Sequence, residues 1–389
     1  MDKNHRLDLS KISKELMLLL EIVKIEQDDN IEVSLKKELY TDFDWDFFLQ
    51  LAIHHRVYPL IYSKIKRLEE KLIPSYVFQT LNKEYKQNTF QMLHLSGEME
   101  LVSKLFNENQ VNLLFLKGPV IAAELFGDIS LRTSKDLDML IPITSLEKAE
   151  ILLLSIGYVK EVVPNLLNEW KWRNHHVVFF HPQKKIQLEI HWRLQPRPLK
   201  EPKFNELWER KRISNITSYP VYFLGKEDLF LYLVSHGARH GWFRLRWLLD
   251  IDQVLRKGLN IKKSNKLLNT YQSNHIVGQA LILTSNLLKT PIESNLNKLI
   301  EKRNSKKLAQ DALDFIKATE SLANIMSTKN YKRYLFSLNS KIEKFFYILI
   351  LFYPSYSDAK TLKLPKSLHF SYFPLRPFLW AWRKTRKLK

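Results

Sequence analysis

Apolar side chains recur at spacings of three and four through the first hundred residues. Ile12, Leu16, Leu19, Leu20, Ile22 and Val23 form one stripe, and Phe47, Phe48, Leu51 and Ala52 form another. Such positions share one face of an α-helix, so residues 1–109 are predicted to be a helical N-terminal domain. Its last helix is expected near Thr89 to Glu108.

The pattern then changes. Val111 to Leu116 is a short run of bulky residues, which reads as a buried strand closed by Lys117-Gly118. Pro119 suits the first turn of a helix that runs to Phe126 and stops at Gly127. A second strand is predicted over Leu137 to Ile141, a helix over Leu146 to Ile156 before Gly157, and further strands around Val177 to Phe180 and Ile186 to His191. Residues 110–215 therefore read as a small mixed α/β domain. Pro196, Pro198 and Pro202 mark a linker or a segment crossing the surface. From Glu227 the helical period returns (Leu229, Phe230, Leu233 and Val234, then Trp247, Leu248 and Ile251), so 216–389 is expected to be a helical C-terminal domain with a basic tail. The fold class that follows is α+β, a small mixed sheet flanked by helical domains at both ends.

Composition narrows the chemistry. The 389 residues hold 45% hydrophobic and 12% aromatic side chains, which fits a folded chain of two or three compact units. There is no cysteine, so a metal would sit on oxygen or imidazole. The N-terminus lacks the layout of a signal peptide, and the longest apolar run, Phe345 to Tyr353, is half of what crosses a bilayer, so a cytoplasmic protein is expected. A formal net charge of +20 favours polyanionic company: nucleotides, phosphorylated substrates, nucleic acid or an anionic membrane face. No helix-turn-helix, zinc or stacking motif is present, so no specific nucleic-acid partner is expected. The stretch Phe378 to Lys389 mixes aromatic and basic residues. That composition suits either an interfacial anchor, a weak possibility of membrane contact, or a helix packing its tryptophans on the core.

The most informative segment is Leu131 to Ile141. On a strand alternate residues share a face, so Asp136 and Asp138 project together, opposite Leu137 and Met139. Two carboxylates side by side repel unless a cation offsets them, and hard oxygen ligands suit Mg²⁺ or Mn²⁺. Upstream, Lys117-Gly118 lies at a helix start where backbone N–H groups can hold phosphate, and Lys117 adds a charge. Downstream, the alternation in Leu188 to Trp192 puts Glu189 and His191 on one face. If that strand pairs beside the strand of Asp136 and Asp138, three acids can gather around metal.

In this order, Leu116-Lys117-Gly118, Asp136-Leu137-Asp138 and Leu188-Glu189-Ile190 resemble the nucleotidyltransferase superfamily that includes DNA polymerase β and the aminoglycoside nucleotidyltransferases. More narrowly, these motifs, together with Arg132, Gly157-Tyr158, Leu188 to Arg193 and Arg246 to Asp250, are similar to an uncharacterised bacterial nucleotidyltransferase family that carries Lys-Gly in place of Gly-Ser. The resemblance implies that Asp136 and Asp138 bind metal and nucleotide phosphates, with Glu189 as the third carboxylate, either ligand or base. It also implies transfer of a nucleoside monophosphate from a nucleoside triphosphate to an acceptor small molecule or peptide, in peptide or polysaccharide modification. Without the superfamily's serine, Lys117 or backbone amides must substitute; Lys117, Gly118, Arg132 and Lys135 are the candidate phosphate contacts, with Arg132 either neutralising the leaving group or serving as a surface ion-pair partner.

His191 and Arg193 share the face of Glu189 and are candidate cleft contacts. His236 and His240 are four apart, a zinc-pair spacing, but Gly237 stands where a zinc protease has glutamate. Asp250 would return to the His236 face if one helix ran through both, and this helix is expected to line the cleft opposite the acids. Trp170, Trp172, Trp192 and Trp208 are packing residues, one of which could stack on a base. Two other classes share parts of this pattern. A glycosyltransferase also uses Asp-x-Asp on metal, but more strand–helix units would precede it; a non-catalytic version of the fold would have no reason to keep three acids.

Overall fold

A seven-stranded mixed sheet occupies the middle of the chain, with the strand order β3-β4-β5-β2-β1-β7-β6. The structure is a computed structural model and describes residues 6–24, 43–66, 73–162, 166–167, 174–196, 200–319 and 322–386. The strands are β1 (Leu114–Phe115), β2 (Asp136–Leu140), β3 (Val159–Lys160), β4 (His176–His181), β5 (Ile186–His191), β6 (Arg212–Ser214) and β7 (Val221–Phe223). β2 runs parallel to β5 and antiparallel to β1, and β4 is antiparallel to β5.

Four helices precede the sheet: α1 (Lys14–Lys24), α2 (Trp45–His54), α3 (Tyr58–Ile65) and α4 (Ser75–Glu108). α4 packs under β2 and β7, burying Met92, Leu95, Met99, Val102 and Phe106 against the apolar face of the sheet. That face is what alternation produces, since Leu137, Met139, Leu188 and Ile190 are fully buried on it. Between the strands lie α5 (Pro119–Phe126), α6 (Leu146–Ser155) and α7 (Phe204–Glu209). Beyond the sheet come α8 (Lys226–Arg239), α9 (Leu245–Arg256), α10 (Ile261–Thr270), α11 (Asn274–Leu288), α12 (Asn297–Ile300) and α13 (Arg303–Lys317). The chain ends with α14 (Leu322–Ser327), α15 (Lys329–Ser337), α16 (Lys341–Phe352), α17 (Tyr356–Thr361) and α18 (Tyr372–Arg386). One hydrophobic core runs from Leu7 to Leu338, because α1 packs on α11 and the Leu7 amide donates to Asn286 Oδ1 at 3.1 Å.

The mixed sheet flanked by helices at both ends is the expected α+β class. Several boundaries differ from the expectation. α4 is one 34-residue helix rather than a helix starting near Thr89, and β1 keeps only two residues of the Val111 to Leu116 run. Strands β6 and β7 are too short for alternation to show, and β7 extends the sheet to Phe223. The helix drawn through His236 and Asp250 is broken: α8 ends at Arg239, Gly241 and Trp242 take positive φ, and α9 starts at Leu245. Gly237 serves this bend, since a Cβ there would sit 2.3 Å from the Trp242 ring that folds back against it.

Candidate active site

The turn after β1 and the paired strands β2 and β5 build one cluster. In the parallel register Asp138 lies opposite Glu189, and Asp136 opposite Gln187. Asp138 is buried, and its Oδ1 accepts from Lys117 Nζ at 3.1 Å and from His191 Nε2 at 3.2 Å. His191 Nε2 is also 3.4 Å from Glu189 Oε2, so one imidazole joins the two acids. Lys117 reaches the cluster because Gly118 turns the chain at φ +94°, where a Cβ would stand 3.0 Å from Leu137 Cδ2. Only glycine takes that backbone easily.

Burial opposes charge on Asp138, but Lys117 and His191 outweigh it and hold the carboxyl well below its usual range. Asp136 goes the other way. Burial and the adjacent Asp138 charge push it up to about 6. Glu189 is kept low against its burial by the His191 hydrogen bond, and His191 is raised against its own burial by Asp138 and Glu189. His176, 3.7 Å from Glu189 Oε2, is brought down to about 4 by burial and the His191 charge.

Two sets of ligand-capable atoms come together among the described residues: Asp138, Glu189 and His191, and separately His175, His176 and His191, each set within 4.8 Å. Asp136 stands beside the first set. Asp138 Oδ2 is buried and makes no hydrogen bond, an acceptor left for a cation to satisfy. The acids thus fit a hard divalent metal through Asp136, Asp138 and Glu189, with His191 holding two of them in place.

A second feature has no local signature in the sequence. Arg56, strained at φ +56°, comes from the loop after α2, Arg244 and Arg246 from the start of α9, and Lys135 from the turn before β2. Backbone and side-chain bonds tie these loops together. Arg246 N donates to His55 O at 3.3 Å, Leu245 N to His55 Nδ1 at 3.3 Å, and Arg246 Nη1 to Thr133. The charge of Arg56 holds the Lys135 ammonium below its ordinary value, and burial together with Arg56 brings Arg244 down to about 10. Cations that depress one another beside Asp136 form a patch suited to an anion.

Other predicted residues have partners of their own. The Arg132 guanidinium makes two bonds to Asp250, at 2.8 and 2.9 Å, with both side chains fully buried. The pair stitches the β2 turn to α9. Arg193 is bound to Glu201 at 2.9 Å. His236 and His240 pack against each other with tilted rings, centres 4.6 Å apart, and against Trp247, edge-on from His236, and burial pushes both well below the usual imidazole range. Trp192 lines a cavity of about 1020 Å³ with His175, His176, Ile143 and Thr144. Trp170 and Trp172 lie outside the described residues, whereas Trp208 packs on Phe204 and Tyr222.

Residues 41–289, more than half of the chain, match the model of a family described as uncharacterised nucleotidyltransferase. No curated protein matches the chain.

Proposed function

The chain belongs to the uncharacterised nucleotidyltransferase family, and on that premise we propose that it moves a nucleoside monophosphate from a nucleoside triphosphate to a hydroxyl or phosphate of a small-molecule or peptide acceptor. An acceptor oxygen attacks the α-phosphorus; the new P–O bond replaces the bond to the β-phosphate, and pyrophosphate leaves. The observation that carries this reading is the register that sets Asp138 against Glu189 beside an unpartnered Asp138 Oδ2 and the Lys117 ammonium.

Asp136, Asp138 and Glu189 would hold Mg²⁺ or Mn²⁺, which when bound would neutralise charge on the reacting phosphate and stabilise the entering and leaving oxygens. Glu189 takes the proton of the acceptor hydroxyl. Lys117 contacts phosphate, while His191 orients Asp138 and Glu189 through its shared Nε2. Arg56, Lys135 and Arg244 clamp the β- and γ-phosphates, a role for which their mutual repulsion prepares them. The cavity lined by His175, His176 and Trp192 admits the acceptor. A cytoplasmic location, where nucleoside triphosphates abound, accords with this chemistry.

The test is intact-mass analysis of offered small molecules and peptides after incubation with each nucleoside triphosphate and Mg²⁺. A gained nucleotide mass is expected, lost in Asp138→Ala together with the Mg²⁺-dependent rise in melting temperature on nucleotide addition. A transferred hexose from a nucleotide-sugar would instead mark a glycosyltransferase. Absence of any nucleotide-dependent melting shift in the native protein would mark a non-catalytic fold.

A further inference from the structure

The last three helices lie at the margin of the protein, with Tyr353 Oη donating to the Leu167 carbonyl at 2.7 Å. Among the described residues none beyond Leu338 belongs to the continuous hydrophobic core, yet α16 and α18 are rich in large apolar side chains. Phe345, Leu351 and Phe352 on α16 are exposed, and so are Phe378, at 72%, and Trp380 and Trp382 on α18. Uncovered apolar surface of this extent costs free energy in water and marks a docking surface. The two helices are joined, since Arg376 on α18 donates to the Leu351 carbonyl and Phe373 packs edge-on against Tyr353 at 5.2 Å.

Charge identifies the occupant. Residues 341–386 hold nine lysines and arginines against two acids, and both acids are buried. Asp358 is bound by Arg376 and by Arg383 at 2.7 Å, and Glu343 caps its own helix by accepting from Ser340 N at 2.7 Å. The charge left to the outside is cationic. Lys384 lies over the Trp380 ring at 4.3 Å and Arg386 over Trp382 at 4.8 Å, which sets indole and cation at one level, as a lipid headgroup region receives them. A second copy would bring two like-charged faces together. α16 exposes apolar residues around most of its circumference, more than one peptide helix or strand would cover. None of the described helices is long and apolar enough to cross a membrane, so contact would lie in the interfacial plane.

We propose that α16 to α18 form a peripheral docking face for anionic phospholipid membranes. Phe346 and Ile350 of α16 also line a groove of about 750 Å³ with Trp192 and Arg193, so docking sets the mouth of that groove at the lipid surface.

The test is co-sedimentation of the full chain with vesicles of phosphatidylcholine alone and of phosphatidylcholine and phosphatidylglycerol in equal parts. Binding at least about tenfold stronger to the mixed vesicles, weakening with salt, is expected. Lys384→Gln/Arg386→Gln should weaken it about thirtyfold, at about fivefold per surface charge. Phe378→Glu/Trp382→Glu should abolish it with an unchanged melting temperature, since these side chains are exposed. Equal partition onto both vesicle types, no partition, or undiminished binding by either variant overturns the proposal. So does a dimer in light scattering that Phe378→Glu/Trp382→Glu splits, since that would assign the face to a second copy.

Discussion

Replacing Arg132 by methionine separates two roles for this residue, one at the phosphates and one in the scaffold. The structure shows a guanidinium with no exposed surface, bound twice to an equally buried Asp250, 118 positions away. Arg132→Met leaves the Asp250 carboxylate in a medium where an isolated charge is costly. Breaking one half of such a pair costs about 3–5 kcal/mol. For one cooperative unit with a core from Leu7 to Leu338 that corresponds to a melting temperature lower by roughly 4–7 °C. The double variant Arg132→Met/Asp250→Leu removes both charges, and with them the Arg132 Nη1 that lacks a partner, so it should recover most of the loss. Differential scanning calorimetry on the three proteins, beside transferase turnover, measures both effects. A single variant that melts like the native protein yet loses turnover would refute the structural role and return Arg132 to the phosphates.

Three further outcomes follow from the same geometry. Arg56→Ala or Arg244→Ala should raise KM for the nucleoside triphosphate about tenfold with little change in kcat, because each removes one charge-assisted phosphate contact; an unchanged KM would remove the clamp. Asp136, pushed up to about 6 from 3.8, keeps a proton in the native state that the unfolded chain has already lost. Metal-free stability should therefore fall by up to about 3 kcal/mol as pH rises from about 4 to about 6, while stabilisation by Mg²⁺ grows over the same window. Melting curves across that range should lose this component in Asp136→Asn, and an identical slope in the variant would contradict the assignment. Gly118→Ala should cost about 1–3 kcal/mol, read from denaturant midpoints, since alanine must adopt φ +94° with its Cβ against Leu137; a neutral result would mean the turn relaxes freely.

Much of the site was legible because its parts are local. Alternation alone places Asp136 with Asp138 and Glu189 with His191, and glycine after lysine marks the turn that aims Lys117. His191 as the residue joining two acids was readable only as a neighbour on the same face. Arg56 and Arg244 carried no signal, as an arginine in a loop looks the same whether it faces bulk water or a phosphate. The error over His236 and Asp250 has a plain cause: helical period continues through His240 to Arg244, but Trp242 turns back onto Gly237 and breaks it.

What the chain determined by itself was therefore the list of elements and the face on which each acid lies, since backbone periodicity depends only on near neighbours. The tertiary structure decided which strands pair, that Asp138 meets Glu189, and that Arg132 meets Asp250, 118 positions away. Those outcomes depend on the burial of surfaces distant in sequence, where the cost of leaving a charge or an amide unpaired selects one arrangement among many that local pattern permits.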